Sequence, residues 1–425
     1  MLYILKNKKT NKGFAALFLS ILILIIILGI GLGIASSVLN ERIILNNITK
    51  SSQSYYSAES GIEDALYRLI KNKNWQNVYG FQIEDSWVTT TISDAVGGTR
   101  LLVSEGDTSE RIRKLQIVLE ISADKISFYY GAQIGDGGMI MGNNSVVQGN
   151  VFSNGSVTGG GEIENDIIVA NNGNFIDGLN IGGNAIVHTC KNSTIEGTLT
   201  YVSGGSLENC DASGTIDSQP NEIDPQDLPI TQEQITKWKA GAIRGGVIND
   251  DVVYSDTVSA GPVQIGTSAD PKNLTLENNT ILTVYGTIYV TGNIILGNGS
   301  KIELADSYGS LSGMIIADGK IDINNGVILD GSGQEGSYVL ILSTNNSVDP
   351  SSPAIDVKNT AIGAIFYTNS GMINLGQNIT AREITGYKVR IEENATIEYE
   401  SGLVNSSFSG GTGGSWDITL WKEIE

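Results

Sequence analysis

Four stretches in the middle of the chain decide the fold, and they are GNVFSNGSVTG (149–159), NDIIVANNGNFIDG (165–178), GNAIVHTCKNSTIEG (183–197) and GTLTYVSGGSLEN (197–209). Each begins with a short polar or glycine pair, continues through three to five β-prone residues, and turns at Asn, Gly or Ser. Their first apolar residues, spaced 16, 18 and 14 positions apart, are Val151, Ile167, Ala185 and Leu199. This loose period of short strands and corners predicts a β-solenoid, expected as a right-handed parallel β-helix.

The same pattern returns nearer the carboxyl terminus, in GTIYVTGNIILGNGSKIEL (286–304), GMIIADGKIDINNGVILDG (313–331), GAIFYTNSGMINLGQNITA (363–381) and GYKVRIEENATIEYESG (386–402). Val, Ile and Leu are expected to stack inward from rung to rung, while Thr, Asn, Lys and Glu stay in water. A β-sandwich is the competing all-β fold, but its strands need not repeat in sequence. The 425-residue chain is therefore predicted to be mainly β, with room for two or three domains.

The two cysteines offer an internal check on the solenoid. Cys190 in TCKNSTIEG and Cys210 in NCDASGTID share one local pattern, twenty residues apart. Equivalent positions on neighbouring rungs lie about 4.7–4.9 Å apart, which is inside the usual Cα separation of a disulfide. A disulfide across neighbouring rungs is predicted, and it would suit an oxidising compartment. The alternative is a pair of buried free thiols, because two cysteines and His188 are too few ligands for an obvious metal site.

The repeat stops between Gln219 and Gly246. The stretch SQPNEIDPQDLPITQEQITKWKAGAIRGG (218–246) holds three of the seven prolines. Thr231 and Gln234 have capping-box spacing, so they predict the start of a helix. Trp238 is expected to dock this helix onto the solenoid.

The amino-terminal stretch KNKKTNKGFAALFLSILILIIILGIGLGIASSV (6–38) predicts a membrane segment. Its lysines all precede Gly13, and no ionisable residue follows until Glu41. The apolar part from Phe14 to Val38 exceeds the roughly 20 residues that cross a bilayer, and it is too long for a cleaved signal peptide. Lysines on the amino-terminal side keep that end in the cytoplasm. We therefore expect a single-pass protein of the inner or cytoplasmic membrane, with an extracytoplasmic body that reaches the cell surface.

An amphipathic helix is predicted to continue out of the membrane from Asn40. Its apolar residues recur mostly three or four positions apart, as that structure requires, and they are Ile44, Ile48, Tyr55, Ala58, Ile62, Ala65, Leu66 and Leu69. Residues 75–122 alternate apolar and polar side chains around glycine-containing turns, which is typical of a small β-sheet. That sheet is expected to cover Ile62, Leu66 and Leu69.

These amino-terminal features resemble a type IV pilin. A basic leader ends at Gly13, an apolar helix starts with Phe14 in FAALFLSILILIIILG (14–29), and YYSAESGIEDALYRL (55–69) is similar to the helix of PilX-type minor pilins. The resemblance implies cleavage by a prepilin peptidase between Gly13 and Phe14. It also implies three kinds of partner: other pilin subunits, the pilus assembly machinery and the membrane. Major pilins carry Glu at the fifth mature position, where this chain has Phe18.

The carboxyl-terminal body resembles PilX-associated, bactofilin-like extracellular domains, in which an LPI..EQI..WK helix separates two β-helical runs. The two resemblances together divide the chain into six parts. They are a basic leader (1–13), a pilin-like helix with a small β unit (14–125, membrane part 14–38), a first β-helix part (126–218), a Pro-rich helical insertion (219–246), a second β-helix part (247–405) and a C-terminal cap or tail (406–425). The cap is expected to include Trp416 and Trp421.

Charge and motifs bear on function. Residues 1–120 carry 13 basic and 11 acidic side chains, whereas residues 121–425 carry 13 basic and 35 acidic ones. Because this acidic body repels phosphate backbones, no nucleic-acid partner is expected. Candidate catalytic carboxylates on the β-helix are Asp250 with Asp251, and Asp318, Asp322 and Asp330. Regularly spaced Asp and Asn on a solenoid are more often turn formers and solvated ladder residues.

The sequence holds no Ser-His-Asp set, phosphate-binding loop, zinc motif or dinucleotide motif in a suitable context. We therefore predict a protein with no catalytic, cofactor or metal site. Its expected role is to display the acidic solenoid for adhesion, surface contact or filament assembly, toward a surface ligand that the sequence does not identify. The alternative is a membrane-anchored bactofilin-like scaffold, and a β-helical polysaccharide-active enzyme is less favoured.

Overall fold

The computed structural model describes residues 12–71, 78–93, 99–121, 123–410 and 416–424. Within these ranges it has two α-helices, α1 (Lys12–Lys71) and α2 (Gln232–Arg244), and short 3₁₀ helices at Asp306–Tyr308 and Ser401–Asn405. All other regular structure in the described chain is β-strand. The predicted class, a long amino-terminal helix followed by a mainly β solenoid, is confirmed.

A five-stranded antiparallel sheet packs on the second half of α1 and forms with it the helix–sheet unit. In spatial order its strands are Tyr79–Ile83, Ser86–Ile92, Thr99–Thr108, Arg111–Ile121 and Trp416–Ile424. Ile62 and Leu69 of α1 are fully buried in this contact and Leu66 is half-buried, as predicted. Amphipathic spacing thus located the face of α1 that the sheet covers.

The last strand corrects the prediction for the carboxyl terminus. Trp416–Ile424 does not cap the solenoid; it pairs antiparallel with Arg111–Ile121 and completes the sheet of the helix–sheet unit. The whole solenoid is therefore inserted between the fourth and fifth strands of that sheet. Trp421 pairs with Ile117, which stands 304 positions earlier in the chain, so this contact is a long-range pairing.

The solenoid has three faces of parallel strands, and three long strands bend around the corner between faces 1 and 2. In spatial order face 1 consists of Val247–Ile248, Val263–Ile265, Ile288–Val290, Gly313–Ala317, Val339–Ser343, Ile365–Leu375, Glu383–Ile391, Ala132–Met141, Val151–Ser153, Ile167–Val169, Ala185–Val187, Leu199–Val202 and Ile216–Gln219. Val151, Ile167, Ala185 and Leu199 stack in one line, as their spacing predicts.

The other two faces complete each rung. Face 2 consists of Val252–Tyr254, Leu274–Leu276, Ile294–Leu296, Ile321–Ile323, Ile355–Val357, the three long strands, Val157–Gly159, Phe175–Asp177, Thr189–Lys191 and Leu207–Glu208. Face 3 is a ladder of twelve strands: Val258–Ala260, Ile281–Val284, Lys301–Leu304, Ile328–Asp330, Ile362–Gly363, Thr380–Ala381, Thr396–Glu398, Val146–Gln148, Glu162–Ile163, Asn180–Ile181, Thr194–Ile195 and Asp211–Ala212. Twelve rungs at the usual strand spacing make a rod of about 55 Å.

The order of the rungs in space differs from their order in the chain. The chain enters the rod in its middle at Ala132–Met141 and winds to one end at Ile216–Gln219; we call residues 132–219 the outbound run. It crosses to the opposite end through residues 220–246 and winds back to the middle in the return run, residues 247–398. The last rung of the return run pairs with the first rung of the outbound run, through Glu383–Ile391 on Ala132–Met141 and Thr396–Glu398 on Val146–Gln148.

Face 1 of the return run has apolar side chains on both sides. One side fills the interior of the rod, and the other packs beneath α2 with Tyr289, Ile316, Leu342 and Tyr367. The helix begins with the predicted capping box of Thr231 and Gln234, and Trp238 is only 4% exposed. The prediction that Trp238 docks this helix onto the solenoid is confirmed.

Candidate functional site

The first half of α1 is an uncovered apolar surface. Phe14 is 73% exposed and Phe18 is 66% exposed, and the same holds for the large apolar side chains that follow as far as Ile48. The most apolar 18-residue window has a mean hydropathy of 3.1, and none of it is buried. By length and composition α1 is therefore able to cross a membrane.

The Gly13–Phe14 junction lies in the first turn of α1, which begins at Lys12. Residues 1–11 of the leader fall outside the described part of the chain. Cleavage at this junction stays a prediction, because nothing in the folded structure reports on processing.

The second half of α1 approaches its sheet most closely at two glycines. A Cβ atom on Gly61 would lie 2.1 Å from Oγ of Ser104, and one on Gly106 would lie 2.1 Å from the carbonyl oxygen of Ser54. Any side chain at either position would push the helix off the sheet, since real Cβ atoms do not come within 3 Å of other heavy atoms. Gly61 belongs to the AESGIE segment, so this part of the motif has a packing reason.

Polar contacts fix the register of α1 along the sheet. Oγ of Ser54 accepts a hydrogen bond from the backbone N–H of Thr108 at 3.1 Å. Arg111 donates to Oδ1 of Asn47 at 3.0 Å, and Arg113 donates to Oγ of Ser51 at 2.8 Å. Arg113 also pairs with Glu423 of the last strand at 2.8 Å. The returning carboxyl terminus is therefore tied to the same arginine as the helix.

Two antiparallel strands, Ala123–Ile126 and Ser406–Ser409, form the neck between the helix–sheet unit and the middle of the rod. The neck is fastened to α2 by Asp124, which accepts a hydrogen bond from Nε1 of Trp238 at 2.8 Å and pairs with Lys237 at 2.6 Å. Both ends of the inserted solenoid therefore leave at one place, and α2 holds that place against face 1.

Cys190 and Cys210 form a disulfide with a Cα–Cα distance of 6.2 Å. The bond is the predicted one, but the alignment behind the prediction is wrong. Cys190 faces Leu207 across the rungs, at an offset of 17 residues rather than 20. Cys210 precedes Asp211, which pairs with Thr194, so it lies at a corner rather than above Cys190. The disulfide therefore joins a face 2 strand of one rung, Thr189–Lys191, to the corner between faces 2 and 3 of the next rung.

The candidate catalytic carboxylates are not brought together. Asp322 lies on face 2 and Asp330 on face 3, while Asp250 and Asp251 lie on the terminal rung. Oδ1 of Asp251 accepts the backbone N–H of Asn273 at 2.7 Å. The same bond repeats at the next corners, since Asn273 accepts from Asn293 and Asn293 accepts from Lys320, both at 2.8 Å. Asp251 is thus the first member of a corner ladder.

Asp318 also has a structural position. Its carboxylate accepts hydrogen bonds from Tyr289 at 2.5 Å and Thr344 at 2.8 Å, and it pairs with Lys239 of α2. Burial alone would raise the pKa of Asp318, but the bonds from Lys239, Tyr289 and Thr344 outweigh it and lower the pKa. Asp318 is therefore an ionised anchor for α2. His188 likewise has a partner, Glu222 at 2.8 Å, in the crossing segment.

Sequence reasoning missed a cleft of about 740 Å³ on face 3 of the return run. Its floor is Thr283, Lys301, Glu303 and Asp330 from three successive rungs. Its walls are residues 304–307 and 331–337, which lie where two corners between faces 3 and 1 are longer than the others. The signal in the sequence is the extra length of these two corners, which separate Leu304 from Gly313 and Asp330 from Val339.

Metal ligation has no support in this part of the molecule. Among the residues that the structure describes, no group of three or more His, Cys, Asp or Glu side chains could hold a metal ion. In the cleft the ammonium of Lys301 lies between the two carboxylates, 2.9 Å from Glu303 and 3.3 Å from Asp330. A cation already occupies the place that a metal would take.

No protein-family model and no curated protein matches the chain. Solved structures similar to it include the competence-associated pilin ComZ from Thermus thermophilus, at 10% identity and a TM-score of 0.20, over 88% of this chain and 98% of that one. An ice-binding protein from an Antarctic Flavobacteriaceae bacterium has 10% identity and a TM-score of 0.12, over 66% and 81%. Scores this low carry no argument, so function has to be argued from the residues themselves.

Proposed function

We propose that the chain is a pilus-associated surface protein without enzymatic activity, a minor or tip subunit of the type IV pilin kind. One observation carries the proposal: α1 is divided into an uncovered apolar half and a half packed on a sheet that the returning carboxyl terminus completes. An uncovered apolar helix of this length needs lipid, or the α1 helices of other subunits, around it. The basic leader that ends at Gly13 gives a reason to expect that α1 moves from lipid into contact with the α1 helices of other subunits after cleavage.

Two features favour a minor or tip position over a major subunit. Phe18 stands where a major pilin has Glu, so this chain offers no carboxylate to a neighbour's amino terminus, a pairing that would offset the cost of a charge in lipid. The solenoid adds about 55 Å of rod to one subunit, which would crowd a close-packed fibre. Other pilin subunits and the assembly machinery would then be needed to recruit it.

An end-to-end scaffold is disfavoured by the two ends of the rod. Ile216–Gln219 adds a strand to face 1 that has no counterpart above Leu207–Glu208 on face 2. A second copy with Val252–Tyr254 over Leu207–Glu208 would place its own Val247–Ile248 in the layer that Ile216–Gln219 fills. Both ends are also acidic, with exposed carboxylates at Glu208, Asp211 and Asp217 and at Asp250, Asp251 and Asp256. Like charges at an exposed edge oppose pairing.

The test is co-expression of the full chain with a prepilin peptidase and an assembly motor, with and without a major pilin. We expect mass spectrometry to find Phe14 at the mature amino terminus, and Gly13→Leu to block cleavage. Gly33→Leu is the matched control, because no atom lies within 4 Å of a Cβ there. We expect the protein in sheared fibres only when the major pilin is present.

Two results would contradict the proposal. An intact Met1 in the mature protein would favour a plain membrane anchor. Abundant fibres made of this chain alone would overturn the minor-subunit assignment while leaving the likeness to pilins in place.

A further inference from the structure

We propose that the face 3 cleft binds a neutral glycan. The inference deepens the proposed function, since it names the class of ligand that a surface-displayed solenoid would meet. It stands on the geometry of the cleft, which belongs entirely to the return run and does not involve α1.

The walls of the cleft are fixed to each other before any ligand arrives. Oγ of Ser337 donates to the carbonyl oxygen of Leu311 at 2.7 Å, and Oγ of Ser332 donates to the carbonyl oxygen of Gly309. Each of these bonds joins the 331–337 wall to the corner, residues 305–312, that includes the other wall. The backbone N–H of Ser332 also donates to Oγ of Ser337 at 3.0 Å. A site held open in this way avoids the entropy cost of ordering loops on binding.

The floor presents hydrogen-bond acceptors in a fixed arrangement. Lys301 pairs with Glu303 and Asp330, and the hydroxyl of Thr283 bonds to Glu303 at 3.2 Å. The hydrogen bond from Lys301 lowers the pKa of Glu303 against the opposing effect of burial. The Glu303 carboxylate is therefore ionised at neutral pH and accepts rather than donates. Sugar hydroxyls are donors that suit such acceptors.

The charge of the cleft selects among glycans. Glu303, Asp330 and the exposed Asp306 outnumber Lys301, so an acidic saccharide is repelled. Tyr285 lines the same cleft and is half-buried, which supplies an aromatic side chain for the apolar side of a sugar ring. Gln334 on the rim adds an amide that both donates and accepts.

The same arrangement favours binding over hydrolysis. Glycosidases need one carboxylic acid with a raised pKa and one carboxylate. Here Lys301 holds Glu303 in its charged form, so that carboxyl group is unsuited to protonating a leaving group.

The test is calorimetric titration of the full chain in lipid nanodiscs with cellohexaose, chitohexaose, mannohexaose and maltohexaose. Hexagalacturonate is the acidic probe and hexalysine the cationic one. We expect at least one neutral hexasaccharide to bind and hexagalacturonate not to bind. Gln334→Ala and Asp330→Asn should each weaken that binding about tenfold, which is the loss of roughly one good hydrogen bond. Glu196→Gln, an exposed carboxylate elsewhere on face 3, should leave it unchanged.

The proposal is overturned if no neutral hexasaccharide binds, or if both cleft variants keep the wild-type affinity. Tighter binding of hexagalacturonate would overturn the charge argument, and tighter binding of hexalysine would assign the cleft to basic peptides instead. None of these titrations requires fibre assembly. An unprocessed amino terminus with intact glycan binding would therefore reject only the pilus function, and the reverse pattern would reject only the glycan site.

Discussion

The outbound and return runs build one continuous rod from the same kind of rung, yet they are secured differently. The return run is covered over much of its length: on face 1, from Ile288–Val290 to Ile365–Leu375, large apolar side chains point outward and lie beneath α2. The terminal rung of the outbound run is largely exposed, and there the disulfide joins the last two rungs. A solenoid rung contacts only its neighbours, so an end rung has half the usual contacts and needs another support. At the outbound end that support is the disulfide, whereas the end rung of the return run, residues 247–260, is also largely exposed and α2 covers rungs further in.

The return run also contains the face 3 cleft. Longer corners are tolerated at the ends of its third and fourth rungs, where they form the cleft. The outbound run keeps short corners throughout, and after Ala132–Met141 its strands have two to four residues. A thin, evenly wound run therefore presents a flat surface, whereas the covered run presents a concave one.

The largest expected effect comes from removing the cover. Trp238→Ala should destabilise α2 and face 1 of the return run by about 3–5 kcal/mol, as for other buried large-to-small changes, and it also removes a donor from Asp124. Hydrogen exchange should show lost protection in the return run and little change in residues 132–219. Ile243→Ala, on the 46% exposed side of α2, is the control. Equal loss in both runs would contradict the division between them.

Reduction of the disulfide should act on the other run. Its loop spans 20 residues, which corresponds to about 3 kcal/mol in the chain-entropy model. Reduction removes no atom from the core, so exchange should accelerate in residues 199–219 alone, with the return run as internal control. Non-reducing peptide mapping should first find the two cysteines joined. Freely alkylated thiols in protein isolated without reductant would contradict the disulfide.

The third prediction concerns the joint where the two runs meet. Glu383 begins the strand Glu383–Ile391 in the last rung of the return run and is fully buried. Burial raises its pKa well above the usual value, against the hydrogen bond from Thr385. A carboxyl group whose pKa is raised on folding stabilises fully below its unfolded pKa of about 4.3. Above that value the wild-type protein should lose about 1.4 kcal/mol per pH unit until the folded pKa is reached.

Glu383→Gln removes this ionisation, so its stability relative to the wild type should increase from pH 5 to pH 8. Hydrogen exchange across Glu383–Ile391 at several pH values measures the difference. Glu393→Gln, an exposed carboxylate one corner further along, should follow the wild type. Parallel pH profiles for Glu383→Gln and the wild type would contradict the assignment.

Much of the fold follows from local patterns. The lysines before Gly13 and the apolar run after it predict α1, and the 3.6-residue spacing of Ile62 and Leu69 predicts its covered face. The rung period predicts the solenoid, and Thr231 with Gln234 predicts the start of α2. Each of these signals can be read from residues close together in the chain, because helix and strand periodicities are properties of neighbouring residues.

The tertiary structure alone decided the rest. No local pattern shows that the return run stacks on the outbound run, that Trp416–Ile424 pairs with Arg111–Ile121, or that Cys190 faces Leu207 rather than Cys210. The cleft likewise needs Thr283, Glu303 and Asp330 to come from three successive rungs. These arrangements depend on which distant segments pair, and parallel strands of one period can stack in several orders. The sequence determined what each rung is, and the long-range pairing determined where it lies.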